Sequence, residues 1–305
     1  VSGDINGGLD DDTIILQTGA DVAGTVNGDA GADTFTIEGV AVAAMLDGGT
    51  GDDTFSFTDA GTIPGTIDGG DDNDTIVGDD LDGNVFYIDS PDSGLVLVKL
   101  PTGEFSGIEN LTGGTGDDQF RFAAGVTLTG NVDGAGGSDE LLLLYTTDVT
   151  YTLNAVGSVD GFSGTALGTT NPMAGFANIN TVTAGSGSSD MLLGLDADAD
   201  WQSGATNTYT STNPLVFTGI ENLVGGSSDD WFQVTSANPI GGAIDGGLGS
   251  DTLAADNSVN SWGITGGGIG TLSVGLVGGF SDIENLVGGT ATDDFVFGAS
   301  GTLAG

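Results

Sequence analysis

The sequence predicts an all-β protein, a parallel β-solenoid of about 15 coils of about 20–21 residues each. A Gly- and Asp-rich hexapeptide recurs in ten copies, and most copies are separated by one or two units of 20–21 residues. Short apolar runs flank the copies. One such unit cannot bury its apolar face alone, but stacked units share a continuous core. Gly, Asp, Thr and Val dominate, and no apolar stripe of helical period recurs, so we expect no helices.

The ten copies follow the pattern U-x-G-G-x-G-x-D-x-U, where U is apolar. The sixth position of the hexapeptide is Asp in every copy. These ten residues, called the corner Asp residues below, are Asp12, Asp33, Asp53, Asp74, Asp118, Asp139, Asp190, Asp230, Asp251 and Asp293.

The spacing predicts one continuous array over residues 1–305, with no linker. Successive first glycines are 21, 20, 21, 44, 21, 51, 40, 21 and 42 residues apart. The long steps predict coils that have lost the motif, near residues 90, 160, 205 and 267. The segments "DTFSF", "DQFRF" and "DDFVF" alternate with period two, which indicates strands with one buried face. The hexapeptide between two such strands is then a sharp corner, which Gly permits through positive φ.

Composition limits the partners of this chain. It has 44 acidic residues and two basic ones, Lys99 and Arg121, for a formal charge of −42. Nucleic acids and anionic membranes bind positive surfaces, so we expect neither as a partner. With no Cys there is no disulfide framework, and no apolar run is long enough to span a membrane. Residues 1–305 contain no secretion signal, and the first of them is not Met, so we expect a piece of a longer chain.

The corner Asp residues predict bound Ca²⁺. Stacked strands lie about 4.8 Å apart. Two carboxylates at that distance repel by about 1 kcal/mol in water and by several times more near a protein surface. Ca²⁺ accepts carboxylate and carbonyl oxygens in flexible geometry, whereas Zn²⁺ prefers His or Cys, which are absent. Mg²⁺ prefers a tighter octahedron that keeps several waters. The alternative is that the corners are ordinary Asp/Gly turns.

The hexapeptides resemble the calcium-binding "GGxGxDxUx" repeats of the RTX family, best at residues 48–56, 113–121 and 246–254. The resemblance implies secretion, calcium-driven folding and the sixth-position Asp as a ligand. It also implies ligand carbonyls from Gly48, Gly51, Gly113, Gly116, Gly246 and Gly249. RTX repeats recur every nine residues, whereas this chain has one motif per coil. In this respect it is more similar to giant bacterial repeat adhesins and matrix proteins.

A second motif precedes four of the corners, at "FSGIENLTGG" (105), "FANINTVTAG" (176), "FTGIENLVGG" (217) and "FSDIENLVGG" (280). Two interpretations apply. In one, the glutamates are additional ion ligands. In the other, which we favour, the asparagines cap the bend by bonding to nearby backbone. The residues are Glu109, Glu221, Glu284, Asn110, Asn222 and Asn285.

The sequence does not indicate an enzyme. A Ser–His type nucleophile pair is impossible without His, and carboxylate pairs are so common that they discriminate nothing. Lys99 and Arg121 are the only candidates for a basic proton acceptor. The three tryptophans, Trp201, Trp231 and Trp262, are expected to pack in the core; the alternative is that they stack on sugars.

Two functional hypotheses follow. The first is an extracellular structural protein, such as a fibre, a surface layer or an adhesin stalk, whose copies associate end to end. The alternative is a calcium-loaded binding or secretion module of a larger secreted enzyme or adhesin, with a cell-surface or matrix polysaccharide as a candidate partner. Residues 1–3 and 303–305 stand at the same register and neither end shows a polar capping coil. We therefore expect an excerpt of a longer chain or one subunit of a stacked fibre.

Overall fold

The computed structural model describes residues 2–40, 42–81, 83–97, 99 and 103–303. In this part of the chain the regular secondary structure is entirely β. The first fifteen strands are β1 (Ile5–Gly8), β2 (Thr13–Leu16), β3 (Asp21–Ala30), β4 (Thr34–Val40), β5 (Val42–Thr50), β6 (Thr54–Thr62), β7 (Thr66–Asp71), β8 (Thr75–Val77), β9 (Val85–Ser90), β10 (Ser93–Leu97), β11 (Phe105–Ser106), β12 (Asn110–Gly114), β13 (Gln119–Phe122), β14 (Asn131–Ala135) and β15 (Glu140–Leu143).

The remaining strands are β16 (Val149–Val156), β17 (Phe162–Gly168), β18 (Gly175–Ile179), β19 (Thr181–Thr183), β20 (Met191–Leu193), β21 (Ala199–Gln202), β22 (Asn207–Thr210), β23 (Pro214–Thr218), β24 (Asn222–Val224), β25 (Asp230–Gln233), β26 (Ile244–Asp245), β27 (Thr252–Ala254), β28 (Ser261–Gly266), β29 (Ile269–Leu272), β30 (Phe280–Ser281), β31 (Asn285–Val287) and β32 (Asp294–Phe297).

The chain divides into two compact units. The first comprises residues 1–145, 157–161 and 170–179. Its two sheets have the strand orders β1-β3-β5-β7-β11-β10-β9-β13-β15 and β2-β4-β6-β8-β12-β14-β18. The second comprises residues 146–156, 162–169 and 180–305. Its sheets have the orders β19-β23-β22-β21-β25-β27-β31 and β17-β16-β20-β24-β26-β30-β29-β28-β32. Each unit is thus built of two parallel-dominated sheets, which agrees with the predicted β-solenoid class.

The register places equivalent positions of successive repeats directly above one another. Phe35 of β4 pairs with Phe55 of β6, which pairs with Ile76 of β8, and all three side chains are fully buried. The Phe35 and Phe55 rings stack with centroids 4.7 Å apart. Burial of one such side chain contributes about 1.5–3 kcal/mol. The sequence repeat therefore becomes a continuous apolar column between the two sheets of the unit.

The prediction of motif-free parallel coils in the long steps was wrong in its local topology. Three long steps contain a three-stranded antiparallel meander within one sheet, at β9–β11, β21–β23 and β28–β30, and the fourth contains the antiparallel pair β16–β17. A meander adds three strands to one sheet before the chain crosses to the other. As a result, the strand that leads into a hexapeptide belongs to one sheet before such a meander and to the other sheet after it.

The described residues contain no helix that is long and apolar enough to cross a membrane. The two basic side chains both have partners within the protein. Lys99 is buried and forms an ion pair with Asp79. The Arg121 Nε donates a hydrogen bond to Gln119 Oε1 at 2.6 Å.

Candidate functional site: the acidic corners

The hexapeptides form the turns by which the chain passes from one sheet to the other. The turn at residues 48–53 shows why glycine is needed there. Gly51 has a φ of 116°, and a Cβ at this position would collide with the carbonyl of Gly31 in the preceding coil. Gly51 therefore permits both the positive φ and the close approach of the two backbones.

The corner Asp residues form a ladder of side-chain to backbone hydrogen bonds between coils. Eight of them accept a hydrogen bond through Oδ1 from a backbone amide of the preceding coil, with N···O distances of 2.5–2.9 Å. Asp12 donates its own amide to the Oδ1 of Asp33, and Asp230 accepts from Gly226 N within its own turn. The eight acceptors are Asp33, Asp53, Asp74, Asp118, Asp139, Asp190, Asp251 and Asp293.

The second carboxylate oxygen, Oδ2, lies inside the corner. In six corner Asp residues this atom is buried and receives no hydrogen bond from the described part of the protein. Burying an acceptor without a donor is unfavourable, by about 1–3 kcal/mol for a neutral group and by more for a charged one. The six residues are Asp33, Asp53, Asp74, Asp118, Asp190 and Asp251.

In eight corners Oδ2 shares its space with a backbone carbonyl oxygen of another coil, and these are the corners of Asp12, Asp33, Asp53, Asp74, Asp118, Asp139, Asp230 and Asp251. A Cβ built on Gly7 would lie 2.6 Å from Oδ2 of Asp12 and 2.7 Å from the carbonyl oxygen of Gly28. The same arrangement joins Asp33 to the Gly48 carbonyl and Asp230 to the Gly246 carbonyl. Two acceptors therefore meet in a small space that a glycine leaves open.

Burial strongly disfavours the ionised form of these carboxyl groups. Desolvation raises the pKa of Asp53, Asp118 and Asp230 to about 6. Desolvation raises the pKa of Asp74 and Asp251 to about 7, and the charges of neighbouring Asp and Glu side chains add to this effect. The pKa of Asp139 rises to about 7 for the same reasons. Because the buried negative charge is unfavourable, each such carboxyl group is stabilised either by binding a proton or by a cation next to it.

The donor set of the corners fits Ca²⁺ in its chemistry. Each of these eight corners offers one carboxylate oxygen and at least one carbonyl oxygen, which are the ligand types that Ca²⁺ prefers. Among the described residues, no three acidic side chains converge on one point to hold a metal ion. An ion here would therefore be held mainly by one corner Asp and by backbone carbonyls.

The six glycines implied as carbonyl ligands fall into three groups. The carbonyls of Gly48 and Gly246 lie beside a corner Oδ2, as described above. The Gly113 carbonyl instead accepts a hydrogen bond from the side chain of Asn84. The other three stand at turn positions where adjacent backbones nearly touch: Gly51 faces Gly31, Gly249 faces Ser228, and the carbonyl of Gly116 faces Gly137.

The second motif continues the hydrogen-bond ladder at coils whose neighbour has no corner Asp in the next ladder position. The Glu side chain accepts, through Oε2, the backbone amide of a corner Asp at 2.8–3.0 Å, as another corner Asp does elsewhere. The pairs are Asp74 with Glu109, Asp190 with Glu221 and Asp251 with Glu284. We had not foreseen this role for the glutamates. The sequence feature that could have revealed this role is the position of the motif: each Ile-Glu-Asn stands at the end of a long step, just before the next hexapeptide.

The asparagines of the same motif do bond to backbone, as predicted, but the carbonyl belongs to an adjacent coil and not to their own bend. The side-chain amide of Asn110 donates to the carbonyl of Asp74 at 3.3 Å, and Asn285 does the same to Asp251. Asn222 makes the equivalent contact with Asp190 at 3.5 Å. The motif thus holds both the amide and the carbonyl of the corner Asp of an adjacent coil.

A second, exposed set of carboxylates was also missed. The residue before several corner Asp residues is itself Asp, and its Oδ1 accepts a backbone amide of the following coil. The contacts are Asp11 with Ala32, Asp52 with Asn73, Asp117 with Ser138 and Asp229 with Ser250, at 2.8–3.1 Å. These exposed neighbours provide matched controls for the buried corner Asp residues.

The tryptophans divide between core and surface. Trp201 and Trp262 are buried, and Trp201 stacks on Phe232 with ring centroids 5.4 Å apart. The sugar-stacking alternative is therefore wrong for these two. Trp231 is 41% exposed and lines an open cleft of about 370 Å³. Asp200 and Thr252 stand beside it on the adjacent strands β21 and β27.

In comparisons with known proteins, no family model, curated protein or solved structure matches this chain.

Proposed function

We propose that this chain is an extracellular structural repeat protein that calcium stabilises, part of a fibre, a surface layer or an adhesin stalk. The observation that carries the proposal is the repeated meeting of a buried carboxylate oxygen and a backbone carbonyl oxygen in the corners. Two acceptors in one space repel each other unless a positive charge lies between them. Above pH 7 protons are scarce, so a hard divalent cation is the group that suits this site.

The type of site supports a location outside the cell. Extracellular calcium modules bind weakly, with dissociation constants of about 10⁻⁴ to 10⁻³ M, because calcium is abundant there. A corner with one carboxylate and mostly backbone ligands belongs to this weak class. Many such corners in one array make the folded state cooperative in calcium, since metal binding energy is folding energy in sites of this kind.

The burial pattern supports a structural role through stacking. Phe55 and Phe57 of β6 are buried between coils, whereas the corresponding Phe295 and Phe297 of β32 are 41% and 52% exposed. These rings present the same apolar surface that every inner coil covers with its neighbour. We propose that a second copy of this chain covers it, in an end-to-end self-association.

A matched pair of variants tests the calcium sites. Asp53 and Asp52 are adjacent, carry the same charge, and each accepts one backbone amide of a neighbouring coil. Only Asp53 is buried with Oδ2 in the corner. We expect Asp53→Ala to reduce the number of bound calcium ions by at least one and Asp52→Ala to leave it unchanged. Calorimetry and metal analysis after dialysis measure both numbers.

Two results would contradict the proposal. Equal loss of calcium in Asp53→Ala and Asp52→Ala would show that the ions bind diffusely to the acidic surface. Absence of bound calcium in the unmodified protein at millimolar concentration would show that the corners are turns only.

A second candidate function, binding of a neutral polysaccharide, is favoured by Trp231 alone. Its exposed indole offers a flat apolar face, while Asp200 and Thr252 offer acceptors and a hydroxyl for sugar hydroxyl groups. Acidic sugars would be repelled by the carboxylates around the cleft. We expect neutral oligosaccharides to change Trp fluorescence, and Trp231→Ala to abolish the change. Persistence of the signal in Trp231→Ala would refute the assignment.

A further inference from the structure

Two ladder positions carry Asn where the hexapeptide corners carry Asp. Asn84 lies in the first unit and Asn260 in the second, and both are 1% exposed. Their backbone amides donate to Oδ1 of Asp118 and Asp293, as the amides of corner Asp residues do elsewhere. These residues therefore occupy the same ladder position, although the hexapeptide motif is absent around them.

The side-chain nitrogen of each Asn occupies the place of the missing Oδ2. A Cβ on Gly78 would meet both Asn84 Nδ2 and the Gly113 carbonyl, just as a Cβ on Gly28 would meet Asp33 Oδ2 and the Gly48 carbonyl. Here the two atoms attract each other, because Asn84 Nδ2 donates to Gly113 O at 3.2 Å.

The surroundings of both side-chain nitrogens are rich in acceptors. Asn84 Nδ2 also lies 3.1 Å from Asp79 O and 2.8 Å from Asp118 Oδ1. Asn260 Nδ2 has four acceptors within 3.1 Å, and they are the carbonyls of Asp256, Ser258 and Gly288 and the Oδ1 of Asp293. An amide orientation with the nitrogen inside is the one that these acceptors require.

The Asn260 corner also lacks the space that glycine leaves elsewhere. Ala254 pairs with Val287, so the next residue, Ala255, stands opposite Gly288 at the first-glycine position. Ala255 is buried, and its methyl group occupies space that is open in the glycine corners. This corner is thus closed to an ion by both its size and its hydrogen bonding.

We propose that Asn84 and Asn260 form two ion-free corners, in which the side-chain amide replaces the cation of the Asp corners. This inference rests on the proposed function, because it specifies which corners take calcium and which do not. One such corner in each unit provides a coil junction whose side-chain amide nitrogen is hydrogen-bonded before calcium binds. The corners that carry Asp then require the ion.

Exchange of the two residue types at matched corners tests the inference. Asn84→Asp replaces a donor by a carboxylate among acceptors, so we expect one additional bound calcium ion at pH 8. An unsatisfied charged group is costly to bury, so the calcium concentration at half-folding should rise. Asn84→Ala should gain no ion. Metal analysis gives the stoichiometry, and circular dichroism during calcium titration gives the midpoint.

The reverse exchange keeps the test decisive if Asn84→Asp does not fold. Asp53→Asn should lose one ion yet fold at a lower calcium concentration than the unmodified protein, whereas Asp53→Ala should lose the ion without that gain. Identical midpoints for Asp53→Asn and Asp53→Ala, or unchanged stoichiometry in a folded Asn84→Asp, would overturn the inference. Failure of the unmodified protein to bind calcium would instead overturn the proposed function on which it rests.

Discussion

Removal of calcium at pH 8 is expected to abolish most of the β-structure of this chain. At that pH the corner carboxyl groups are ionised, and six of them bury an oxygen that has no donor in the described structure. The penalty of about 1–3 kcal/mol or more per group, summed over six corners, matches or exceeds the 5–15 kcal/mol by which native proteins are stable. We therefore expect the folded state to depend on the cation. Circular dichroism in millimolar calcium and after exhaustive chelation measures the effect.

Two controls separate this effect from general charge screening. Added NaCl weakens repulsion between exposed charges but does not supply a ligand to a buried oxygen, so it should not restore the spectrum. Mg²⁺ should be less effective than Ca²⁺ because it requires shorter bonds and near-octahedral geometry. A spectrum unaffected by chelation would show that the corners hold together without an ion.

Lowering the pH in the presence of chelator is expected to stabilise the protein. Burial raises the pKa of Asp53, Asp118 and Asp230 to about 6, and of Asp74 and Asp251 to about 7. The unfolded value is about 3.9. Between these values the folded state holds more protons than the unfolded state, so the free energy of unfolding falls as the pH rises. This stabilisation is complete below about pH 4 and is lost as the pH rises through 6–7.

Thermal melts in chelator between pH 5 and 8 measure this dependence. One kcal/mol shifts the midpoint by about 2–4 °C in a chain of 150–250 residues, so several corners together should give a large rise towards pH 5. Asp256, whose pKa is held well below its usual range by hydrogen bonds from Ser236, contributes no change in this window. Asp74→Asn should reduce the change in melting temperature between pH 5 and pH 8, and the exposed Asp52→Asn should leave it unchanged.

Saturating calcium should reverse the direction of this pH dependence. The ion stabilises the ionised carboxylates, and protons then compete with it, so stability should fall as the pH falls. A protein equally stable at pH 5 and pH 8 in chelator would show that the corner carboxylates are solvated and not buried as described.

The sequence was sufficient to predict the repeat, the strands beside each corner and the positions of the acidic ladder. Period-two patterns such as "DTFSF" determine which side chains are buried, because alternate residues of a strand face opposite sides. An invariant Asp at a fixed place in each repeat must stack on its equivalents once the repeats are in register. Local pattern and spacing alone therefore led to the ten corner Asp residues.

The tertiary structure alone decided what fills the long steps and how the ladder ends. The meander at β9–β11 and a further parallel coil would both alternate with period two, so the sequence pattern does not distinguish them. Glu109 and Asn84 join the ladder without the hexapeptide around them, because their side chains reach it from other elements of the fold. Whether a backbone amide 35 residues away finds a carboxylate, as Asp74 does with Glu109, depends on which strands become neighbours. That is a property of the sheet order and not of any local stretch of sequence.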